Sequence, residues 1–151
     1  MKNKITLLDC TLRDGGYYNN WNFSIPLIEN YLSSMSNSKI DYVEIGFRFL
    51  KKNINYGFLA FTREADLMKI KIPKNLKISV MINANEYINN LDKLKKIFVE
   101  KNKSKIDLVR VAINIQEVEK IEKITKVLKS LKYKVAINLM QSNNTKKNFL
   151  I

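Results

Sequence analysis

The stretch Asp9-Cys10-Thr11-Leu12-Arg13-Asp14-Gly15-Gly16 decides how this chain is interpreted. It overlaps the end of the apolar run Ile5–Leu12, which predicts a first β-strand. Arg13 and Asp14 are therefore expected in the loop at the carboxyl end of that strand, the edge where α/β active sites form. The two glycines that follow would let the backbone turn sharply under a ligand. A salt-bridged turn explains the same residues, and both interpretations stay open at this point.

Four more short apolar runs follow, rich in β-branched residues and without strict polar alternation: Tyr42–Phe47, Ile78–Ile82, Leu108–Ile113 and Val135–Met140. This pattern is typical of parallel strands that are covered on both faces. Amphipathic segments lie between the runs, at the spacing of βα units with right-handed crossovers. The sequence therefore predicts an α/β fold with five buried parallel strands.

Helical segments are predicted between these strands. The first begins after Ser24, an expected N-cap with a proline in the first turn. Thr62 is expected to open a shorter helix through Met68. Apolar residues at three- and four-residue steps predict two further helices, over Leu91–Phe98 and Ile115–Leu131.

Two sheet closures are compatible with five parallel strands. A doubly wound sheet is complete with five strands, whereas a (β/α)8 barrel needs three more and typically about 250 residues. The chain has 151 residues. Pattern alone therefore slightly favours the complete sheet.

Composition limits the classes of function. The chain carries 27 Lys plus Arg against 14 Asp plus Glu, a net charge of +13, but only four of the cations are Arg and the lysines are spread along the chain. A nucleic-acid groove would concentrate Arg and aromatic residues on one face, so a solvated lysine surface is favoured. A basic nucleic-acid-binding α/β domain remains the weaker alternative, and nucleic acid is not the expected partner.

The single cysteine, Cys10, excludes a disulfide scaffold. No apolar run approaches the roughly 20 residues of a membrane span, and no signal peptide is recognisable, so a cytoplasmic location without membrane contact is expected. The chain contains no histidine. A mechanism that requires imidazole cannot be completed by this polypeptide alone.

The quoted stretch supports a resemblance to a known family. Asp9–Gly15 resembles the signature Asp-x-Thr-Leu-Arg-Asp-Gly of the HMG-CoA lyase-like (DRE-TIM metallolyase) superfamily. Within it, Leu8–Phe23 followed by Tyr42–Phe47 is most similar to the catalytic domain of 4-hydroxy-2-oxovalerate aldolase-like proteins. The resemblance extends over Ile5 to about Gln141 and reverses the preference for a doubly wound sheet. It implies a TIM (β/α)8 barrel, a divalent metal (Mn²⁺ or Mg²⁺), and carbon-carbon bond cleavage or condensation of a small 2-oxo acid through a pyruvate-type enolate.

The resemblance also implies residue roles. Arg13 matches the arginine that stabilises the enolate, Asp14 matches a metal ligand, and Glu44 matches the glutamate that orients this arginine. Glu44 can be argued independently, because a carboxylate inside an apolar strand is costly to bury unless it is paired, and Arg13 is its natural partner if the first two strands are neighbours. Tyr17 takes the position of the family's acid-base histidine, although a phenol with a reference pKa near 10 is poorly matched to neutral pH.

Other polar residues are candidates for substrate binding. Asn83, Asn114 and Asn138 fall near the carboxyl ends of strands three, four and five, where barrel side chains face the ligand. Arg110 is a second charge inside a strand; it resembles a family arginine and is equally compatible with a structural ion pair. Cys10 is interpreted as a small buried hydrophobe.

The chain also departs from the family at the metal site. The family completes its metal site with two histidines on a later strand, whereas this sequence supplies about the first five βα units, followed by an expected irregular tail over 142–151. We therefore expect the N-terminal portion of a metal-dependent aldolase, inactive alone, whose partner is a C-terminal barrel segment or a second copy of itself. The alternative is a non-catalytic remnant that acts as an assembly or binding module.

Overall fold

The computed structural model describes residues 5–142. Within them, the strands are β1 (Leu8–Asp9), β2 (Tyr42–Phe47), β3 (Lys77–Asn83), β4 (Ile106–Asn114) and β5 (Lys134–Met140). The α-helices are α1 (Thr11–Asn19), α2 (Ile25–Asn37), α3 (Glu64–Leu67), α4 (Ala84–Tyr87), α5 (Leu91–Ile97) and α6 (Ile121–Ser130). Short 3₁₀ segments cover Phe58–Ala60, Lys101–Lys103 and Ile115–Lys120. The irregular tail predicted from residue 143 onward lies outside the described residues.

The five strands form one parallel sheet in the order β1-β2-β3-β4-β5. This sequential order is that of a (β/α)8 barrel, the fold that the family resemblance implies. In a doubly wound sheet the strand order reverses at a switch point, which gives non-sequential neighbours. The described strands instead curl into a half-barrel with helices between them, so the predicted α/β fold of TIM-barrel type is confirmed for five strands and the helices that connect them.

The hydrophobic core lies between the convex face of this sheet and the helices. Strand residues on that face are fully or almost fully buried, for example Val43, Val80, Val109 and Val111. Helix α6 contributes Ile121, Ile124 and Leu128 to the same core. Because strand side chains alternate between faces, the intervening strand residues point to the concave side. This alternation places the polar residues of the strands on one inner surface.

The first strand is much shorter than predicted. Instead of Ile5–Leu12 it contains only Leu8 and Asp9, and α1 begins at Thr11. Asp9 explains the early turn, because its carboxylate accepts hydrogen bonds from the Thr11 backbone N–H at 3.0 Å and from the Thr11 hydroxyl at 2.9 Å. The Tyr31 hydroxyl of α2 also donates to Asp9. Side-chain bonds of this kind satisfy the first amides of a helix and favour its start.

The two glycines of the quoted stretch therefore do not form a turn under a ligand; that prediction was wrong. Gly15 and Gly16 lie within α1, and neither has a positive φ. Gly16 serves packing instead. A Cβ at this position would lie 2.0 Å from Cδ1 and Nε1 of Trp21, a core side chain that is only 2% exposed.

The helix predictions were partly correct. Ser24 caps α2 as predicted, accepting from the Leu27 N–H at 3.4 Å. Thr62 does not cap α3: it is buried, its hydroxyl donates to the Phe47 carbonyl at 2.8 Å, and the helix begins at Glu64. The helix predicted over Ile115–Leu131 is divided, because its first six residues adopt a 3₁₀ conformation before α6.

Membrane insertion was not expected for this chain. Between residues 5 and 142, every helix lacks the length or the apolar character that is needed to cross a bilayer.

The Gly16 contact yields a stability prediction. Gly16→Ala places a methyl group inside the indole ring position, and overpacking of this kind should lower the free energy of unfolding by about 1–3 kcal/mol. Gly15→Ala is the matched control, because its Cβ meets only Phe23 Cζ at 3.6 Å. It should raise the free energy of unfolding by roughly 0.5–1 kcal/mol, since alanine loses less backbone entropy on folding than glycine. Urea unfolding followed by circular dichroism measures both. Equal effects of the two substitutions would contradict the packing role of Gly16.

Candidate active site

A fully buried carboxylate, that of Glu44 on β2, is the centre of the concave face. Its Oε1 accepts from Arg13 Nε at 2.7 Å and from Arg110 Nη1 at 3.0 Å. Its Oε2 accepts a longer hydrogen bond from the Ser79 hydroxyl at 3.4 Å. Two guanidiniums thus compensate one buried charge, which offsets the cost of removing the carboxylate from water. The structure brings Arg13 and Glu44 together as the sequence predicted.

Arg13 reaches Glu44 from α1 and not from a loop after β1. Its Nη1 also lies 2.7 Å from Asp14 Oδ1, and its guanidinium carbon lies 5.7 Å from the centre of the Phe47 ring. Burial alone would lower the pKa of Arg13, but contacts with Cys10, Glu44 and Asp14 outweigh it and raise this pKa. The side chain keeps 16% of its surface accessible. Arg13 is therefore a permanently charged group whose position is set by carboxylates and an aromatic ring.

Arg110 on β4 joins the same network from the opposite side. Its Nη1 also contacts Cys10 Sγ at 3.3 Å, and its Nη2 donates to Asn138 Oδ1 at 3.1 Å. Of the two interpretations left open for Arg110, the ion pair with a carboxylate is what the geometry shows. Asn138 lies two residues before the end of β5, so it faces the middle of the concave surface and not its rim.

Cys10 is half-buried beside these groups and carries a free thiol. Burial raises the pKa of this thiol, and the Glu44 carboxylate raises it further, while Arg13 and Arg110 act in the opposite direction without cancelling the increase. At neutral pH the group is a neutral thiol. Cys10 is thus less buried and more polar in its contacts than the predicted buried hydrophobe, and its raised pKa does not favour a nucleophile.

The other two asparagines lie at the rim. Asn83 is the last residue of β3, and its side chain accepts from the Asn85 N–H at 3.2 Å at the start of α4. Asn114 is the last residue of β4. Both lie at the carboxyl ends of their strands, and their role in substrate binding stays a prediction.

Tyr17 lies on the outer part of α1 and is 62% exposed. Its ring packs edge-on against Trp21 at 5.0 Å and Phe47 at 5.9 Å between centroids. Partial burial of the ring raises the pKa of its phenol in spite of the nearby Arg13. Tyr17 therefore remains protonated at neutral pH, and its predicted role in proton transfer stays a prediction.

The predicted metal ligand, Asp14, is 58% exposed and paired with Arg13. Among residues 5–142, His, Cys, Asp and Glu side chains form no group of three or more that could hold a metal ion. Mn²⁺ and Mg²⁺ require several oxygen ligands. The role of Asp14 as a metal ligand stays a prediction, and within residues 5–142 no cluster of such side chains accompanies it.

Ser79 is a site residue that the sequence analysis missed. It is a polar residue inside the apolar run Ile78–Ile82, and it lies directly opposite Glu44 in the sheet register. The signal that could have identified it is a polar residue inside an otherwise apolar strand. The contact of Cys10 Sγ with the Arg110 guanidinium joins residues that are 100 positions apart, and no local pattern predicts it.

The chain is similar in structure to a solved protein. It matches the N-terminal domain of a putative aldolase from Bacteroides vulgatus with a TM-score of 0.76 and a sequence identity of 27%. The match covers 96% of this chain and 48% of that chain, so this chain spans about half the length of the solved chain it matches. No protein-family model and no curated protein matches the sequence. The chain therefore has an aldolase-like fold, while the narrower HMG-CoA lyase-like assignment stays a prediction from the motif.

The central carboxylate can be tested by stability. Glu44→Gln leaves two guanidiniums around a neutral amide, and breaking a buried ion pair in this way should cost about 3–5 kcal/mol of unfolding free energy. Glu122→Gln is the control, because its pair with Lys126 is exposed, and it should leave stability unchanged within error. Denaturant unfolding measures both variants. A Glu44 variant as stable as the Glu122 variant would show that the network is not buried as described.

The Cys10 thiol provides a pH test. Because burial raises its pKa, the rate of alkylation by iodoacetamide should reach half its maximum at a higher pH in the folded protein than in the urea-unfolded protein. The chain has one cysteine, so the reaction reports this site alone. A folded-state midpoint at or below the unfolded value would contradict the described environment.

Proposed function

We propose that this chain is one half of a divalent-metal-dependent aldolase that cleaves or forms a carbon-carbon bond of a small 2-oxo acid through a pyruvate-type enolate. The observation that carries the proposal is the Arg13 guanidinium, bonded to the buried Glu44 at 2.7 Å on the concave side of an aldolase-like half-barrel.

The chemistry of an enolate explains why this geometry is suitable. Removing a proton from the carbon beside a carbonyl places negative charge on the carbonyl oxygen. A guanidinium that is already oriented stabilises this charge without reorganising. Glu44 supplies that orientation, because its Oε1 holds Arg13 from β2 and Arg110 from β4 at the same time.

Asp14 would contribute one ligand to the metal. A bound divalent cation acts as a Lewis acid that polarises the oxygen of a 2-oxo acid. The Asp14 carboxylate has enough acceptor positions to keep its ion pair with Arg13 and to bind a cation. The remaining ligands would come from another polypeptide segment, since the described residues offer no further cluster.

The substrate would contact the polar residues of the concave face and its rim. Arg110 and Asn138 supply donors and acceptors beside Glu44, while Asn83 and Asn114 lie at the carboxyl ends of β3 and β4. This edge is where barrel enzymes bind their ligands.

A partner that completes the barrel is part of this proposal. The matched solved chain is about twice as long as the region this chain covers. Two copies of a chain with a charge of +13 would repel each other, so a separate barrel segment is favoured over a second copy.

A non-catalytic binding module is the second candidate. Its supporting observation is that the hydrogen bonds of Glu44 are satisfied within the chain, as a purely structural network would also require.

An exchange assay distinguishes the aldolase half from the non-catalytic binding module. The full chain is mixed with the part of the Bacteroides vulgatus protein that it does not match, and Mn²⁺-dependent incorporation of deuterium into the methyl group of pyruvate is followed by NMR. We expect exchange only in the mixture. Arg13→Lys should reduce its rate about 10²–10³-fold, the usual effect of removing one donor to a developing oxyanion.

Arg63→Lys is the matched control, because Arg63 is an exposed arginine that lies over the Phe61 ring, away from Glu44. It should retain the wild-type rate. Absence of exchange in a mixture that forms a folded complex would favour the binding module. Exchange by the chain alone would contradict the need for a partner.

A further inference from the structure

An open cleft of about 600 Å³ lies beyond the carboxyl end of β2, outside the Arg13–Glu44 network. It is lined by Phe49, Lys51, Lys52, Asn53, Ile54, Tyr56 and Glu86. The loop 48–57 supplies all of these residues except Glu86, which belongs to α4. Neither the motif nor the solved relative assigns a role to this cleft.

The lining combines positive charge with an aromatic wall. Lys51 and Lys52 supply two ammonium groups, and Phe49 and Tyr56 supply rings whose centres lie 6.2 Å apart. The one carboxylate of the lining, that of Glu86, is engaged by the Leu50 N–H at 2.7 Å. Two cations beside apolar rings favour an anionic ligand with a flat or apolar body.

The loop is held in place without a ligand. The Gly57 N–H donates to the Asn20 carbonyl at 2.7 Å, and the Phe49 N–H donates to the Ala60 carbonyl at 3.1 Å. A Cβ at Gly57 would lie 2.1 Å from the Trp21 carbonyl oxygen, so only glycine allows this approach. A cleft that is formed in advance loses little conformational entropy on binding.

Stacked rings connect the cleft to the candidate active site. The Phe47 ring lies 5.7 Å from the Arg13 guanidinium and stacks on Phe49 at 4.5 Å, with an interplanar angle of 10°. Phe49 therefore contacts the ring beside Arg13 on one side and lines the cleft on the other. The rings of Phe49 and Phe47 thus lie between the cleft and the Arg13 guanidinium.

We propose that this cleft binds an anionic group, a phosphate or a carboxylate, that is attached to a planar or apolar carbon skeleton. Lys51 and Lys52 would pair with the anion, and Phe49 and Tyr56 would contact the skeleton. The assignment of this ligand as the second substrate of the aldolase rests on the proposed function; the binding itself does not.

Trp21 provides the measurement. It is the single tryptophan of the chain, and its ring centre lies 5.4 Å from Phe49 and 5.2 Å from Tyr56. Titration of the full chain with phenyl phosphate should therefore change its fluorescence in a saturable way. Inorganic phosphate should bind more weakly, because it has no skeleton to contact the rings. A parallel titration with benzoate distinguishes a carboxylate ligand from a phosphate ligand.

The double substitution Lys51→Gln with Lys52→Gln should weaken binding of phenyl phosphate at least about tenfold, since it removes hydrogen bonds to a charged group. The matched control is Lys95→Gln with Lys96→Gln on the exposed side of α5, which removes the same charge from another adjacent pair. It should change the dissociation constant less than about twofold, a small fraction of the effect expected for a lost charged contact. Circular dichroism verifies that both variants are folded.

Equal weakening in the two double variants would overturn the proposal, because it would show nonspecific attraction to a basic protein. Absence of saturable binding of both phenyl phosphate and benzoate by the wild-type chain would also overturn it. Inorganic phosphate binding as tightly as phenyl phosphate would overturn the role of the aromatic wall. If the wild-type chain does not bind these ligands but the mixture still shows Arg13-dependent exchange, only the cleft proposal is refuted. If the chain binds them but the mixture shows no exchange, only the proposed function is refuted.

Discussion

A single buried carboxylate organises the concave face of this protein. Glu44 has no accessible surface, and a charge in that position is tolerated only because Arg13 and Arg110 donate to it. The two arginines come from α1 and β4, on either side of β2. The ion pairs therefore join elements that are far apart in the sequence and hold two guanidiniums at one place on the inner surface.

The same constraint connects fold and chemistry. A parallel sheet with sequential strand order curls, and its alternating side chains separate an apolar convex face from a polar concave face. On the concave face, polar residues need partners, and Ser79, Asn138 and Cys10 lie where they can supply them. The network supplies hydrogen-bond partners to the buried carboxylate, and it also orients the charged groups before any ligand binds.

Several features were predictable because they depend on local pattern. Apolar runs of β-branched residues identified the four long strands to within two residues at each end, and a polar capping residue identified the start of α2 at Ser24. Glu44 could be recognised as a paired charge from the cost of burying it. The predictions failed where contacts of single side chains decided the local structure: Asp9 binds Thr11 and Tyr31, so that α1 begins early and includes Gly16, and the Thr62 hydroxyl donates to the Phe47 carbonyl instead of capping a helix.

The amino-acid sequence by itself determined the number and direction of the strands, since hydrophobic periodicity is a property of neighbouring residues. It also determined that Arg13 and Glu44 would need each other, because an unpaired buried charge is too costly. Only the tertiary structure decided that Arg110 shares the same carboxylate oxygen and that the loop after β2 forms a cleft. These contacts join residues tens of positions apart, and their geometry depends on how the sheet curls, which no local pattern specifies.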